Sequence, residues 1–336
     1  MVAGINESQS DFALAVNAPP LLVSFSSLDA YLKALPEDVR DSHQAEIERL
    51  VHAGLPPVVS FRALATLFGF STKFIGALYR NPERYYRTFS IRSGKKVRII
   101  QSPRVGIKVI QKWFGYHLAQ AIELSDAVVG FVPGRSAVHG ASQHCGADWA
   151  YSTDIRDFFT TTPIGMVLDA LARLGYSKDA AALLARLFTY QGTLPQGSPA
   201  SPVLSNLVFQ DVDSFFEKTA SEMNARYTRY ADDVVFSGKG VFPEDLKQIV
   251  TDAITSKGWA ISPHKESLAV RPSRLKVYGL IVEGDEPRLT KGYRNRIRAF
   301  KHLKKNGQIR EDDLDRINGH LSYADWVDRF ASKLKN

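Results

Sequence analysis

A single cysteine, Cys145, in 336 residues excludes a disulfide framework and suits a reducing compartment. The N-terminus lacks a basic segment followed by a long apolar run, so no signal peptide is expected. No apolar stretch approaches the ~20 residues that span a bilayer, so no membrane partner is expected. Internal repeats and low-complexity tracts are missing as well. One stretch has no acid at all: residues 287–310 hold nine Lys or Arg and no Asp or Glu. The net charge of +8 therefore comes mostly from one place near the C-terminus. A charge so concentrated is how a nucleic-acid contact surface looks; the plainer alternative is a solvated basic helix. What is abundant is apolar: 44% of residues are hydrophobic and 11% aromatic, enough for a sizeable ordered core.

The chain opens with a polar stretch, 1–20, that reads as a loose tail. From Ser27 to about Leu78 the pattern is helical, with a start at Ser27-Leu28-Asp29 and Phe61, Leu64, Leu67 and Phe68 at helix spacing. Phe89-Ser90-Ile91, Ser93-Gly94 and Val97-Arg98-Ile99-Ile100 read as a hairpin with Lys95, Lys96 and Arg98 near its turn. Residues 105–122 are predicted helical, 149–155 a buried strand ending on a carboxylate, and 164–190 two helices around Gly175. A long helix is expected over 198–222, with Val203, Leu204, Leu207, Val208, Val212, Phe215 and Phe216 inward. Then come 226–230, a tight Ala-Asp-Asp and Val234-Val235-Phe236-Ser237, a hairpin with two acids at its tip. A helix over 244–257, a strand over 276–282 and a basic helix over 291–305 complete the reading.

The acids carry the chemistry. Asp232 and Asp233 are adjacent at the hairpin tip, where like charges repel and a cation is expected to compensate. Asp154 ends a strand that can lie beside them. Converging carboxylates take hard cations through oxygen, which means Mg²⁺. Two such ions can activate a 3′- or 2′-hydroxyl and stabilise a leaving pyrophosphate. Taken alone, an Asp-Asp at a turn is ordinary turn chemistry. The Pro/Gly-rich stretch 194–202 opens the long helix; it reads either as normal capping or as a close backbone approach that Gly197 permits.

The order of these pieces is distinctive. Asp154-Ile155-Arg156-Asp157-Phe158-Phe159, then 194–202, then Tyr230-Ala231-Asp232-Asp233 resembles motifs A, B and C of reverse transcriptases. Lys95 to Ile100, Pro103 and Lys108 to Gln111 resemble the fingers motifs, so the likeness covers about residues 60–325. Tyr230 to Ser237 and Leu194 to Asn206 resemble the retron forms. Two retron elements match in part. Gly140-Ala141-Ser142-Gln143-His144 has Gly where the family has Asn, and Val277-Tyr278-Gly279 has Tyr where it has Thr.

The resemblance implies an α+β right-hand polymerase with fingers, an antiparallel palm sheet with helices, and a small helical thumb. Its parts would be an N-terminal helical region (1–85), fingers (86–148), a palm with interleaved fingers elements (149–283) and a thumb (284–336). Asp154, Asp232 and Asp233 would be catalytic, and these three with the Ile155 carbonyl would hold Mg²⁺. Arg98 and Lys96 would reach the triphosphate of a dNTP. Phe159 would be the gate against a ribose 2′-hydroxyl, although Phe158 and Phe159 can also be read as core. Gln196 and Gly197 would line the nucleotide pocket. On the basic helix, Arg294, Arg298, Lys301 and Lys305 share one face and Tyr293, Ile297, Phe300 and Leu303 another, as for a thumb gripping RNA or a hybrid. His144 would belong to an RNA-contacting element; a zinc site from His139, His144 and Cys145 fits no usual spacing. Trp113, Trp149, Trp259 and Trp326 read as core or partner-facing.

The activity implied is RNA-directed DNA synthesis of retron type. The chain would copy part of its own structured non-coding RNA (msr–msd type) into branched RNA–DNA, msDNA. It would do so in the cytoplasm, in antiphage defence with a separate effector protein. One alternative is another stand-alone bacterial reverse transcriptase, defence-associated or intron-derived; only about thirty residues follow the basic helix, few for a maturation domain. The other is an RNA-binding scaffold without catalysis.

Overall fold

The computed structural model describes residues 25–93 and 96–333, without the side chains of Ser93, Lys96 and Lys333. The tail expected over 1–20, together with Gly94 and Lys95, lies outside the described residues. The elements gather into two compact units, one formed by 1–124 and 157–210, the other by 125–156 and 211–336.

The first unit begins with four helices, α1 (Leu28–Ala34), α2 (Glu37–His52), α3 (Phe61–Phe68) and α4 (Thr72–Arg80). A two-stranded ribbon, β1 (Tyr86–Ser93) and β2 (Lys96–Pro103), leads into α5 (Val105–Ala121). In the second unit the chain forms α6 (Ala137–Gln143) and β3 (Trp149–Asp154). It returns to the first for α7 (Ile164–Arg173) and α8 (Lys178–Phe188), and the long α9 (Ser201–Glu222) runs out of it. The rest belongs to the second unit: β4 (Ala225–Tyr230), β5 (Asp233–Gly238), α10 (Leu246–Ser256), β6 (Ser267–Val270), β7 (Lys276–Val277), β8 (Leu280–Ile281), β9 (Arg288–Leu289), α11 (Lys291–Lys305) and α12 (Glu311–Lys333).

Local chemistry explains the helix ends. Ser27 and Ser60 cap α1 and α3, their side chains accepting from Ala30 N at 3.1 Å and Ala63 N at 3.3 Å. Helix α3 stops at Gly69, which takes the left-handed conformation with φ 65°. Between those ends, the i, i+3, i+4 spacing of Leu64, Leu67 and Phe68 puts all three in the core. In the first unit, Gln111 of α5 is a fully buried polar hub. It donates to the Tyr86 hydroxyl (2.6 Å) and the Leu187 carbonyl (3.0 Å) and accepts from Ser198 Oγ (2.8 Å). A buried amide left without partners would be costly, so this hub fixes the start of β1, the end of α8 and the turn before α9 together.

The second unit is built on an antiparallel sheet in the order β4-β5-β3-β6. Both sheet faces are covered, which is why β5 reads as an apolar run and not as an alternation. Val235 and Ala150 join a cluster with Val138 of α6, Ile297 of α11 and Ile317 and Leu321 of α12. The alternate residues meet other rings: Phe236 packs on Phe216 (5.5 Å) and Trp149 on Phe242 (5.1 Å).

Several expectations need correction. Residues 276–282 are not one strand. Tyr278 and Gly279 both have positive φ (49° and 80°), so β7 turns tightly into β8, which then pairs with β9. Helix α9 begins at Ser201, after the turn, not at Ser198. Its inward stripe holds except for Phe215, which is 46% exposed while Phe216 is buried. Neighbouring residues lie about 100° apart around a helix, so Phe215 falls at the edge of the buried stripe while Phe216 lies within it. His144 is fully buried, held between Ser237 Oγ and Thr228 Oγ1 at 2.7 Å each, and cannot reach RNA. The short helix α6, the edge strand β6 and the helix α12 were not anticipated.

Candidate active site

The second unit brings the acids together. Strand β3 pairs with β5 so that Asp154 lies opposite Asp233, and β4 and β5 meet at Tyr230 and Asp233. Two residues, Ala231 and Asp232, make the tip. Ala231 takes a positive φ of 57°. Asp232 is tied into the neighbouring strand, its carbonyl accepting from Ile155 N at 2.9 Å. Asp154 is buried, Asp232 half-buried and Asp233 exposed.

Asp154 and Asp232 approach closely enough for a carboxyl–carboxylate hydrogen bond. Burial, and then the charge of Asp154, push the Asp232 carboxyl up to about 6. The compensating cation is Lys265, at the end of a short 3-10 turn, Pro263–Lys265. Its ammonium is hydrogen-bonded to Asp154 Oδ2 and lies 3.9 Å from Asp232 Oδ2. Burial pulls its pKa down, but the Asp154 hydrogen bond and charge outweigh that and hold it above the ordinary value. Ser262 completes the surround: its Oγ donates to Asp154 Oδ1 (2.9 Å) and its N–H to the Asp154 carbonyl (2.8 Å). A carboxylate pair that already gathers an ammonium and a hydroxyl is a donor set suited to a hard cation. Among the described residues no three Asp, Glu, His or Cys side chains form a ready metal cluster. Asp154 and Asp232 are the nucleus of the site, with Asp233 beside them in register.

Lys265 and Ser262 were missed in the sequence, although a cation was expected. The signal would have been β6, which pairs with β3 from Ser152↔Ser267 and so brings residues 262–265 to the end of β3. The remaining candidates of this unit are on α11. Arg294, Arg298, Lys301 and Lys305 are exposed, Ile297 is buried, and Tyr293, Phe300 and Leu303 are half-buried. Lys301 reaches back to Asp325 of α12 at 3.5 Å.

In the first unit, Arg98 is exposed on β2, opposite Ile91. The Lys96 side chain lies outside the described residues. Phe158 is buried against Phe209 (5.6 Å), whereas Phe159 is half-exposed, stacked beside it at 6.0 Å. Of the two rings, one is therefore core and the other half-exposed. Gln196 is locked to β2: its carbonyl accepts from Gln101 N and its N–H donates to Gln101 Oε1, both at 2.8 Å. Gly197 has φ 134°, and a Cβ there would stand 2.9 Å from the Gln101 carbonyl oxygen. The close approach that Gly197 permits is thus to β2 of its own chain.

Residues 91–282 match the family described as reverse transcriptase (RNA-dependent DNA polymerase), which is more than half of the chain. The chain belongs to the reverse transcriptase family. It is 27% identical to the retron Ec86 reverse transcriptase of Escherichia coli, over 83% of this chain and 88% of that protein. With the retron Mx65 reverse transcriptase of Myxococcus xanthus it shares 29% identity over 88% and 74%. Within the family these relatives place it with the retron-type enzymes. Among solved structures, apo telomerase from Candida tropicalis superposes with a TM-score of 0.46 at 11% identity, over 62% of this chain and 48% of that one. The protein is an RNA-directed DNA polymerase with the α+β fold of its family, whose members work with a divalent metal ion. Among the described residues no helix is long and apolar enough to cross a membrane.

Proposed function

We propose that this enzyme copies part of a structured non-coding RNA of the msr–msd type into DNA that remains joined to it as msDNA. The observation that supports the polymerase chemistry is the meeting of Asp154 and Asp232 around the Lys265 ammonium, and the likeness to retron reverse transcriptases supports the choice of RNA. Asp154 and Asp232 would hold Mg²⁺, with Asp233 and the Ile155 carbonyl beside them. When bound there, the ions supply activation of the attacking hydroxyl and charge stabilisation for the leaving pyrophosphate. Lys265 balances the carboxylate pair until then, which offsets the repulsion between Asp232 at the tip and Asp154 at the end of β3.

The other roles are assigned on the same reading. Arg98 and Lys96 bind the triphosphate of a dNTP as charge-assisted donors. Phe159 blocks a ribose 2′-hydroxyl, and Gln196 and Gly197 line the nucleotide. The exposed face of α11 tracks the phosphates of RNA or of the hybrid. The division into N-terminal region, fingers, palm and thumb at 85, 148 and 283 belongs to the same proposal. So do cytoplasmic residence, a separate effector protein and a part in antiphage defence.

The direct test is Asp232→Ala combined with Asp233→Ala. DNA synthesis on a primed RNA template should vanish with the thermal midpoint unchanged, and synthesis that persists sinks the assignment. Extraction of nucleic acid from cells expressing the locus should yield DNA branched from a short RNA; unbranched DNA would exclude the msDNA product.

A further inference from the structure

The tip that carries Asp232 is fixed from below by a buried charge pair that plays no part in the reaction outlined above. Arg229, three residues before Asp232, is fully buried. Its Nε and Nη2 donate to the two oxygens of Asp213 on α9, at 2.7 and 2.6 Å. Its Nη1 donates to the Ala231 carbonyl at 3.0 Å. Asp213 also accepts from the Tyr227 hydroxyl at 2.6 Å. The Arg229 backbone is itself clamped, its N–H donating to the Ala127 carbonyl (2.8 Å) and its carbonyl accepting from Val129 N (2.9 Å).

Consider what these bonds hold. The Ala231 carbonyl belongs to the peptide that enters Asp232, and the Asp232 carbonyl, bonded to Ile155 N, to the peptide that leaves it. Both peptide planes flanking Asp232 are therefore set by hydrogen bonds, and with them the direction of its carboxylate. Ala231 sits at φ 57°, a conformation that persists in a non-glycine residue when its surroundings dictate it. Stability alone does not call for an ion pair here, since apolar side chains of similar volume usually serve a buried site as well or better. What apolar side chains cannot supply is the donor to the Ala231 carbonyl.

We infer that Arg229 and Asp213 are positioning residues for polymerisation, their fork orienting the Ala231–Asp232 peptide so that Asp232 meets Asp154 at the metal position. The inference rests on the reading of Asp154 and Asp232 as the metal-holding pair.

The test replaces the whole buried polar cluster in the full chain, as Asp213→Leu/Tyr227→Phe/Arg229→Met. Thermal midpoint, kcat, dNTP KM and the Mg²⁺ concentration for half-maximal synthesis are measured on a primed RNA template. The variant should fold and keep its KM. Its kcat should fall by about 100-fold, the scale of a small misplacement of a reacting group, and its Mg²⁺ midpoint should rise. A folded variant with parental kcat and Mg²⁺ midpoint overturns the inference. If the triple variant does not fold, Arg229→Lys decides. It keeps the charge opposite Asp213, but a compact ammonium cannot serve the carboxylate fork and the Ala231 carbonyl together. A smaller fall in kcat with a raised Mg²⁺ midpoint is expected, and parental values overturn the inference. Asp232→Asn runs alongside. Synthesis that survives it sinks the metal reading and this inference with it, whereas synthesis lost there but intact in the cluster variants sinks the fork alone.

Discussion

Two antiparallel hairpins carry the charges on which the proposed reaction depends, and they are built in opposite ways. In β4–β5 the strands lie within a four-stranded sheet, Val234, Val235 and Phe236 are buried, and the tip is bonded to β3 and to the Arg229 fork. Among the described residues the β1–β2 ribbon has two strands, and Phe89, Ile91, Val97 and Ile99 are all exposed. The difference follows from what each must do. Carboxylates that share a cation have to be held at a fixed separation against their own repulsion, so their backbone is fastened on every side. A cation that meets phosphate oxygens needs reach more than rigidity, and Arg98 stands on the exposed part of the ladder, away from the Gln101–Gln196 bonds. Ordering that side chain is then a cost met by the substrate when it binds.

The strongest way to break the comparison is to disturb each backbone with one added methyl group. At Gly130 a Cβ would stand 2.4 Å from Ala231 N and 2.9 Å from the Tyr230 carbonyl carbon, both backbone atoms that cannot swing aside. Gly130→Ala should therefore shift the acid-bearing tip and lower primer extension by about 100-fold or more. An added methyl on the ribbon, Ser90→Thr, points from an exposed strand and should change neither extension nor the thermal midpoint. Equal effects from the two substitutions would show that the tip is no more constrained than the ribbon.

The second prediction is smaller and concerns the ribbon. Arg98→Ala removes one charge-assisted contact, worth about 1.5–3 kcal/mol, so the dNTP KM should rise by about tenfold or more. Because Arg98 is exposed, the thermal midpoint should stay where it is. A fall in thermal midpoint with an unchanged KM would make Arg98 part of the fold and not of the substrate contact.

The same contrast explains how much could be read beforehand. The acid-bearing hairpin announced itself because apolar residues surround two acids, and β3 because the strand-like stretch from Trp149 ends on Asp154. The ribbon was visible from Ser93-Gly94 between two β-branched stretches. Most of what escaped depends on distant partners. Lys265 is joined to Asp154 across 111 residues, through the four-residue edge strand β6, which is too short and too exposed to carry a pattern. Arg229 reads in the sequence as an ordinary charged strand residue, and only Asp213 on α9 shows that it is a buried fork. Helix α12 was readable, since Ile317, Leu321, Ala324 and Val327 recur at helix spacing and are all buried.

His144 gives the smallest effect and the clearest distinction between a buried and an exposed charge carrier. As a lone histidine near a family-like element it was read toward RNA, but its partners Thr228 and Ser237 arrive from 84 and 93 residues away. Burial first, and the charge of Arg226 second, hold its imidazole down to about 3, against an ordinary value of 6.5. The sign follows from linkage. Above pH 6.5 the ring is neutral in folded and unfolded chains alike, and it contributes nothing. As the pH falls below 6.5 the unfolded chain takes up a proton that the folded one refuses, so stability drops by up to about 1.4 kcal/mol per pH unit. His144→Gln keeps a donor and an acceptor for Ser237 and Thr228 but does not titrate. Its thermal midpoint should fall less steeply than the parent's between about pH 6.5 and 4, while the two remain close at neutral pH. Parallel curves would mean that His144 does take a proton in the folded enzyme, and that the core beneath the acid-bearing hairpin is open to water as the ribbon is.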